Sequence, residues 1–143
     1  MSTLAAAEAY DDLAMRIEHV AVWTEDIEGL ASFYQMYFGA AVGEKYVNGA
    51  KGFESRFLTF DTGARLEIMR TTAFTPLKHE SAVQKMGFTH LAFALGSEQG
   101  VDELTGRLRR DGHSILDGPR RTGDGYYESV VLDPDGNRIE ITA

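Results

Sequence analysis

The chain contains no cysteine and only three prolines among its 143 residues. Without cysteine, disulfides and thiolate chemistry are excluded. No apolar run approaches the roughly 20 residues that a membrane-spanning helix requires, and the opening residues lack the basic start and apolar core of a signal peptide. Positive charge is also scarce, because 14 Lys and Arg are outnumbered by 22 Asp and Glu. We therefore expect a cytoplasmic protein that binds neither membrane nor nucleic acid, since nucleic-acid binding needs a basic surface.

The composition that remains is typical of a globular protein, with 43% hydrophobic and 25% charged residues. A chain of this length is expected to form one domain around one core. Residues 1–15 are predicted to be a short helix or a loose tail, and residues 16–143 to be the domain itself.

Turn signals and apolar periodicity predict the same order of elements twice. Residues 16–71 read as a strand, a helix and three strands, and residues 87–143 repeat that order after a polar connector at residues 72–86. The predicted strands cover residues 16–23, 40–47, 53–60, 64–71, 87–95, 113–117, 126–132 and 137–142, and the predicted helices cover residues 24–39 and about 97–111. We therefore predict an α+β fold in which two βαβββ modules form a curved mixed sheet around a cavity.

The end of each module carries the same pattern. Residues 58–68 read LTFDTGARLEI and residues 131–141 read VLDPDGNRIEI, so that Glu67 recurs as Glu140. Proline and glycine in the second copy predict a tight turn, and the alternating residues that follow predict a strand.

Each module also has one histidine in its first predicted strand, His19 in HVAV and His90 in HLAF. A single histidine or glutamate on a strand is usually structural or solvent-facing. A charged carboxylate on the inner face of a sheet, however, is costly unless it is paired or metal-bound. Two imidazoles and two carboxylates would suit a borderline divalent cation. From the repeat alone, a metal site and a purely structural role both remain open.

The chain from residue 16 onward resembles the vicinal oxygen chelate superfamily, which includes glyoxalase I, methylmalonyl-CoA epimerase, extradiol dioxygenases, fosfomycin-resistance enzymes and bleomycin-binding proteins. The resemblance rests on RIEHVAV, on the Phe-Tyr pair of the first helix, on FTHLAF and on DPDGNRIEI. It implies a divalent metal ion (zinc, nickel, manganese or cobalt) in the cavity. The ligands that it implies are His19, Glu67, His90 and Glu140.

This ligand set distinguishes the branches of the superfamily. Ring-cleaving dioxygenases use two histidines and one carboxylate, and bleomycin-binding members generally lack the metal ligands, so both are disfavoured. What remains is a lyase or isomerase of the glyoxalase type (lactoylglutathione lyase-like), which moves a proton next to a carbonyl while the metal, as a Lewis acid, holds the enediolate. A methylmalonyl-CoA epimerase-like enzyme and a non-catalytic small-molecule-binding protein are the alternatives.

Roles and partners follow from the same resemblance. Both glutamates are candidate catalytic residues, and we expect Glu140 to be the base and Glu67 to be mainly a ligand. The substrate is expected to be a small molecule, such as a glutathione or CoA thioester. A homodimer is expected because one module cannot close a cavity, and the sequence leaves open whether sites form within one chain or between two. His79 and His113 are predicted to be surface residues.

Overall fold

The computed structural model describes residues 15–73 and 83–143. The predicted tail, apart from its last residue, lies outside the described residues, as does most of the predicted connector, including His79. In chain order the elements are β1 (His19–Trp23), α1 (Ile27–Phe38), β2 (Ala41–Val42), β3 (Tyr46–Asn48), a short 3-10 helix (Gly49–Lys51), β4 (Phe53–Thr59), β5 (Arg65–Thr71), β6 (His90–Ala94), α2 (Glu98–Arg110), β7 (Ile115–Arg121), β8 (Tyr127–Leu132) and β9 (Arg138–Thr142).

Both predicted helices are present, although α1 begins at Ile27 and not at residue 24. The Asp26 side chain accepts a hydrogen bond of 2.9 Å from the backbone N–H of Gly29, which caps α1. Gly39 ends α1 with φ of 66°, a left-handed conformation that glycine adopts without strain. Ser97 caps α2 in the same way as Asp26 caps α1. Neither of these described helices is long and apolar enough to cross a membrane.

Each module forms its own mixed sheet, which confirms the predicted βαβββ order. The strand order is β1-β5-β4-β2 in the first module, where β3 also pairs with β4, and β6-β9-β8-β7 in the second. In both sheets the first and last strands of the module are parallel neighbours, and the other pairs are antiparallel. Consequently β1 and β6 are edge strands, each at the border of its sheet.

Two strands differ from the prediction. Residues 40–47, predicted as one strand, form β2 and β3, because the chain at Gly43 crosses close to β4; a Cβ there would lie 2.9 Å from the carbonyl oxygen of Phe57. Strand β7 continues through Gly118-Pro119, which the sequence marks as a break. Because β7 is an edge strand, the missing N–H of Pro119 need not remove a ladder hydrogen bond.

One side of each sheet packs against the core, and the other is open. Glu67 lies between two buried neighbours on β5, and Glu140 lies between two on β9. Since successive strand residues point to opposite faces, both glutamates lie on the side away from the core, which we call the open face. The buried residues belong to a single apolar cluster that draws on both modules, and the strand residues in it are Leu58, Leu66, Ile68, Val131, Ile139 and Ile141.

A buried hydrogen bond joins α1 to the turn after β8. The hydroxyl of Tyr34, which is 1% exposed, donates to Asp133 Oδ2 over 2.9 Å. Asp133 also accepts from the backbone N–H groups of Asp135 and Asn137 and from the Asn137 side chain. Burial raises the pKa of Asp133, although the hydrogen bonds from Asn137 and Tyr34 act in the opposite direction. The predicted turn is therefore confirmed, and its first aspartate fastens it to the other module.

Aromatic rings extend this contact between the modules. The Phe93 ring lies 4.5 Å from that of Phe38 and 5.1 Å from that of Phe60, measured between centroids. His113 lies 5.0 Å from Phe33 and 5.1 Å from Tyr37. His113 is half-buried against these rings, so the prediction of a surface residue is wrong. The signal was present in the ring-rich sequence of α1, but nothing in the sequence said which partner those rings would meet.

We predict that Tyr34→Phe lowers the free energy of unfolding by about 1.5–3 kcal/mol, the range for hydrogen bonds to charged groups. The variant keeps the ring but deprives buried Asp133 of a donor. Denaturant titration measures the loss. Tyr37→Phe is the matched control, because its hydroxyl donates to exposed Asp111 over 2.7 Å, and its loss should be clearly smaller. Equal losses in the two variants would contradict the role given to the buried bond.

Candidate functional site

The first pair of predicted residues meets across two parallel strands. In the register between β1 and β5, His19 lies opposite Arg65 and Ala21 lies opposite Glu67. His19 and Glu67 therefore share the open face, where His19 Nε2 lies 3.8 Å from Glu67 Oε2. We call these two residues the first half-site.

The second pair repeats this arrangement. His90 lies opposite Arg138, and Ala92 lies opposite Glu140, in the parallel register between β6 and β9. His90 Nε2 is 3.3 Å from Glu140 Oε2. These two residues form the second half-site, which matches the first strand for strand and residue for residue.

Both half-sites have suitable donors for a divalent cation. Each offers one imidazole nitrogen and one carboxylate oxygen, which zinc and similar ions accept. Two atoms bound to one ion at about 2.1 Å lie roughly 3.0–3.4 Å apart in tetrahedral or octahedral geometry. The separation of 3.3 Å in the second half-site fits this range, and that of 3.8 Å in the first exceeds it by a few tenths of an ångström.

The two half-sites do not meet within one chain. Among the described residues, no group of three or more histidine, cysteine, aspartate or glutamate side chains is placed to hold a metal ion. Each half-site instead lies near the border of its own sheet, with its histidine on an edge strand, β1 or β6, and its glutamate on the neighbouring strand. Both histidines are accessible, with side chains 42% exposed for His19 and 38% for His90. The described part of a single chain therefore carries two separate half-sites, and the histidine of each is accessible to solvent.

The ring of His19 has neighbours that the sequence did not suggest. Glu18 Oε2 lies 2.5 Å from His19 Nδ1, and the other oxygen of Glu18 accepts from the Arg65 guanidinium at 2.5 and 2.9 Å. The hydrogen bond with His19 is the largest of the effects that lower the pKa of Glu18. The edge of the His19 ring also meets Phe57, at 5.5 Å between centroids. Adjacent strand residues normally point to opposite faces, so Glu18 was not an obvious partner.

The carboxylate of Glu140 has a different neighbour, Glu128 on β8. Val130 lies opposite Glu140 in the antiparallel register, and Glu128 is its diagonal neighbour on the same face. Glu128 is 9% exposed. Burial, and next its hydrogen bond with Glu140, raise the pKa of Glu128. The aligned residue of the first module is Ser55, so only in the second half-site does a further carboxyl group lie beside the half-site glutamate.

A cavity of about 370 Å³ lies between the modules. Val20 of β1 and Leu91 and Phe93 of β6 contribute to its wall, together with the turn at residues 61–64. None of the four half-site residues lines it. The side chains of the predicted ligands are therefore not part of the wall of this cavity.

Two βαβββ modules, each with a mixed sheet, make up the vicinal oxygen chelate fold. The sequence profile of the Glyoxalase/Bleomycin resistance protein/Dioxygenase superfamily matches residues 16–141. The chain belongs to this superfamily.

Individual relatives are distant. The protein YqjT of Bacillus subtilis, whose function is uncharacterised, is 26% identical over 133 residues, which is 89% of this chain and 98% of that protein. The trypanothione-dependent glyoxalase I of Leishmania major is 23% identical, with a TM-score of 0.72 over 90% of this chain and 86% of that one. A glyoxalase/bleomycin resistance protein/dioxygenase domain from Frankia sp. EAN1pec is 14% identical, with a TM-score of 0.76 over 91% of this chain and 98% of that one. At these identities the structural matches establish the fold.

The raised pKa of Glu128 predicts a pH dependence of stability. The experiment uses metal-free protein, prepared with a chelator. In its folded state Glu128 keeps its proton at pH values above 4.5, the ordinary pKa at which the unfolded chain loses it. The free energy of unfolding should therefore fall as the pH rises from 4.5 through the folded pKa. Glu128→Gln removes this ionisation, so its stability should fall less over the same range. Thermal unfolding at stepped pH measures the difference.

Glu44→Gln is the control for this experiment, because Glu44 is an exposed carboxylate outside the half-sites. Its stability should follow the wild-type pH profile. Parallel profiles for wild type and Glu128→Gln would show that Glu128 is not the group responsible.

Proposed function

We propose that this protein is a metal-dependent lyase or isomerase of the glyoxalase type, with proton transfer as its chemistry. The observation that supports this proposal is the exact correspondence of two His–Glu pairs on the open faces of two modules. Each pair has its imidazole nitrogen and carboxylate oxygen within 3.8 Å of each other. A structural role for either pair would not call for the same residues at the same register in both sheets.

We further propose that a complete site forms between two chains. Each half-site supplies two ligands at a sheet edge, and the described part of one chain leaves the halves apart. In a homodimer with twofold symmetry, His19 and Glu67 of one protomer would face His90 and Glu140 of the partner subunit. The same symmetry creates this site twice, because an isologous interface repeats every contact. A divalent ion such as zinc, nickel, manganese or cobalt would then have two nitrogen and two oxygen ligands.

When bound, such an ion would supply Lewis-acid polarisation of the substrate carbonyl. The side chains of this chain would carry the proton. A glutamate carboxylate takes it from the carbon next to the carbonyl, which breaks a C–H bond and forms an O–H bond on the glutamate. The same group then returns the proton to the former carbonyl carbon while the hydroxyl proton passes to the former carbonyl oxygen, so the net reaction is an isomerisation without oxidation or reduction. Open faces at both half-sites leave room for a small substrate between them.

Glu140 is the better candidate for this base. Its neighbour Glu128 is a buried carboxyl group that, when protonated, can donate a hydrogen bond to the Glu140 carboxylate. Two adjacent carboxyl groups can share one proton between them. Glu67 has no carboxyl group at the corresponding position, where the chain has Ser55. We therefore propose that Glu140 carries the proton and that Glu67 serves mainly as a ligand.

The reference reaction for this proposal is that of a lactoylglutathione lyase, which isomerises an α-hydroxy-carbonyl adduct of glutathione. A methylmalonyl-CoA epimerase-like reaction needs the same proton transfer next to a thioester carbonyl, so both substrates belong in the first assay. Turnover of neither, with metal bound, would leave a small-molecule-binding protein as the better description.

Complementation tests whether sites are shared between chains. His19→Ala and His90→Ala should each bind metal weakly, because each breaks both sites of its own homodimer. After subunit exchange, a mixed dimer has one site with both changes and one with neither, so roughly a quarter of all sites should be restored in an equal mixture. Metal content by elemental analysis and activity on a competent substrate are the two measurements.

The outcome separates the two arrangements. No recovery of metal binding after verified exchange would mean that each site is built within one chain. A monomer on a calibrated sizing column, at all concentrations tested, would refute the dimer itself. Separately purified wild-type chains carrying two different tags, mixed under the same conditions, provide the control for exchange.

The two glutamates can be told apart by Glu140→Gln and Glu67→Gln at saturating metal. Loss of a general base typically lowers the rate about 10²–10⁴-fold, so Glu140→Gln should remain inactive even when metal is bound. Glu67→Gln should chiefly weaken metal binding and regain activity when metal is added. Metal occupancy measured beside kcat distinguishes the cases. Rescue of Glu140→Gln by metal, with Glu67→Gln inactive, would reverse the roles.

A further inference from the structure

We infer that Glu18 is a positioning residue that fixes the ring of His19 so that Nε2 is directed at the first half-site. The inference rests on the proposed function, because it assumes that His19 is a ligand. Glu18 is not one of the four proposed ligands, and the second half-site has no equivalent residue.

The geometry at His19 carries the inference. Glu18 Oε2 lies 2.5 Å from Nδ1, while Nε2 points toward Glu67 at 3.8 Å. A carboxylate beside Nδ1 keeps a proton on that nitrogen, which leaves the lone pair of Nε2 available. Carboxylates in this position orient metal-binding histidines and strengthen them as ligands.

Glu18 is itself held in place. Arg65 donates two hydrogen bonds to Glu18 Oε1, at 2.9 Å from Nε and 2.5 Å from Nη2. The guanidinium of Arg65 also lies over the Phe57 ring, 4.0 Å from its centroid, and the same ring meets the edge of His19. Arg65, Glu18 and Phe57 thus form one support around the His19 ring.

The second half-site has the ligands without this support. Thr89 stands before His90 where Glu18 stands before His19, and a hydroxyl there supplies no charged acceptor. Val130 stands opposite Glu140 where Phe57 stands opposite Glu67. Among the described residues, no carboxylate lies at Nδ1 of His90, whose ion-pair contact is with Glu140 through Nε2. We therefore expect the His19 side chain to be held in its metal-binding orientation before a metal ion binds, and the His90 side chain to be less constrained.

A purely structural ion pair would behave differently. Exposed ion pairs contribute little to stability, and both Glu18 and Arg65 are accessible to solvent. A surface role therefore predicts a small change in stability when Glu18 is altered, with no effect on the His19 tautomer or on metal affinity. A positioning role predicts changes in both.

The experiment uses Glu18→Gln, which keeps the size of the side chain and removes its charge. In metal-free protein, at a pH where the imidazole is neutral, the ¹⁵N shifts of His19 report which nitrogen carries the proton. We expect the Nδ1–H form in wild type and a shift toward the Nε2–H form in the variant. Competition with a chelator should then show zinc binding weakened about 10–100-fold.

Thr89→Ala is the matched control, because Thr89 holds the equivalent place before His90. It should change neither the His19 spectrum nor the zinc affinity. Unchanged tautomer and affinity in Glu18→Gln would overturn the inference, and so would an Nε2–H ring in the wild type. If wild type binds no divalent ion, the proposed function fails, while the tautomer comparison still decides whether Glu18 fixes the ring.

Arg65 provides a second test of the same support. Arg65→Gln should weaken zinc binding through Glu18, so the double variant should bind zinc no more weakly than Glu18→Gln alone. Fully additive losses would mean that Arg65 acts on the site independently and would contradict its place in the support.

Discussion

The parallel register between the first and last strand of each module is the constraint on which the candidate site depends. It sets Glu67 two residues along from the partner of His19, and Glu140 likewise from that of His90. A slip of one residue would turn each glutamate toward the core, where an unpaired carboxylate is costly. The buried residues on both sides of each glutamate oppose such a slip, because they would then face solvent. Packing of the core therefore fixes the chemistry of the opposite face.

The order of elements and the composition of each half-site could be predicted from the sequence because both depend on local signals. These signals are the alternation along a strand, the capping residues and the Asp-Pro-Asp-Gly turn, each of which depends on residues only a few positions apart. The repetition of the sequence pattern in both modules identified the two His–Glu pairs. The placement of one module against the other depends instead on contacts between residues far apart in the sequence, such as that between Tyr34 and Asp133. Glu18 and Glu128 escaped prediction for a related reason. One precedes its strand, where alternation does not apply, and the other reaches Glu140 only diagonally across a strand pair.

The two modules carry the same His–Glu pair and differ in the residues around it. Glu18 corresponds to Thr89, Phe57 to Val130 and Ser55 to Glu128, so each half-site has a carboxyl neighbour that the other lacks. In the first, that neighbour lies beside the histidine. In the second, it lies beside the glutamate. The proposed proton-transfer site would need one group that stays in place and another that exchanges its proton, and the two environments would supply these requirements separately.

The contacts within the chain also bear on how a complete site would be closed. Val20, Leu91 and Phe93 line the cavity between the modules, whereas His19 and His90 alternate with these residues along their strands. The aromatic rings of α1 and the Tyr34–Asp133 bond occupy the space between the modules on the core side. A movement of one module relative to the other would disturb these buried contacts. A second copy requires no such movement, because the open faces lie opposite the core and β1 and β6 are outer strands in the described part of each sheet.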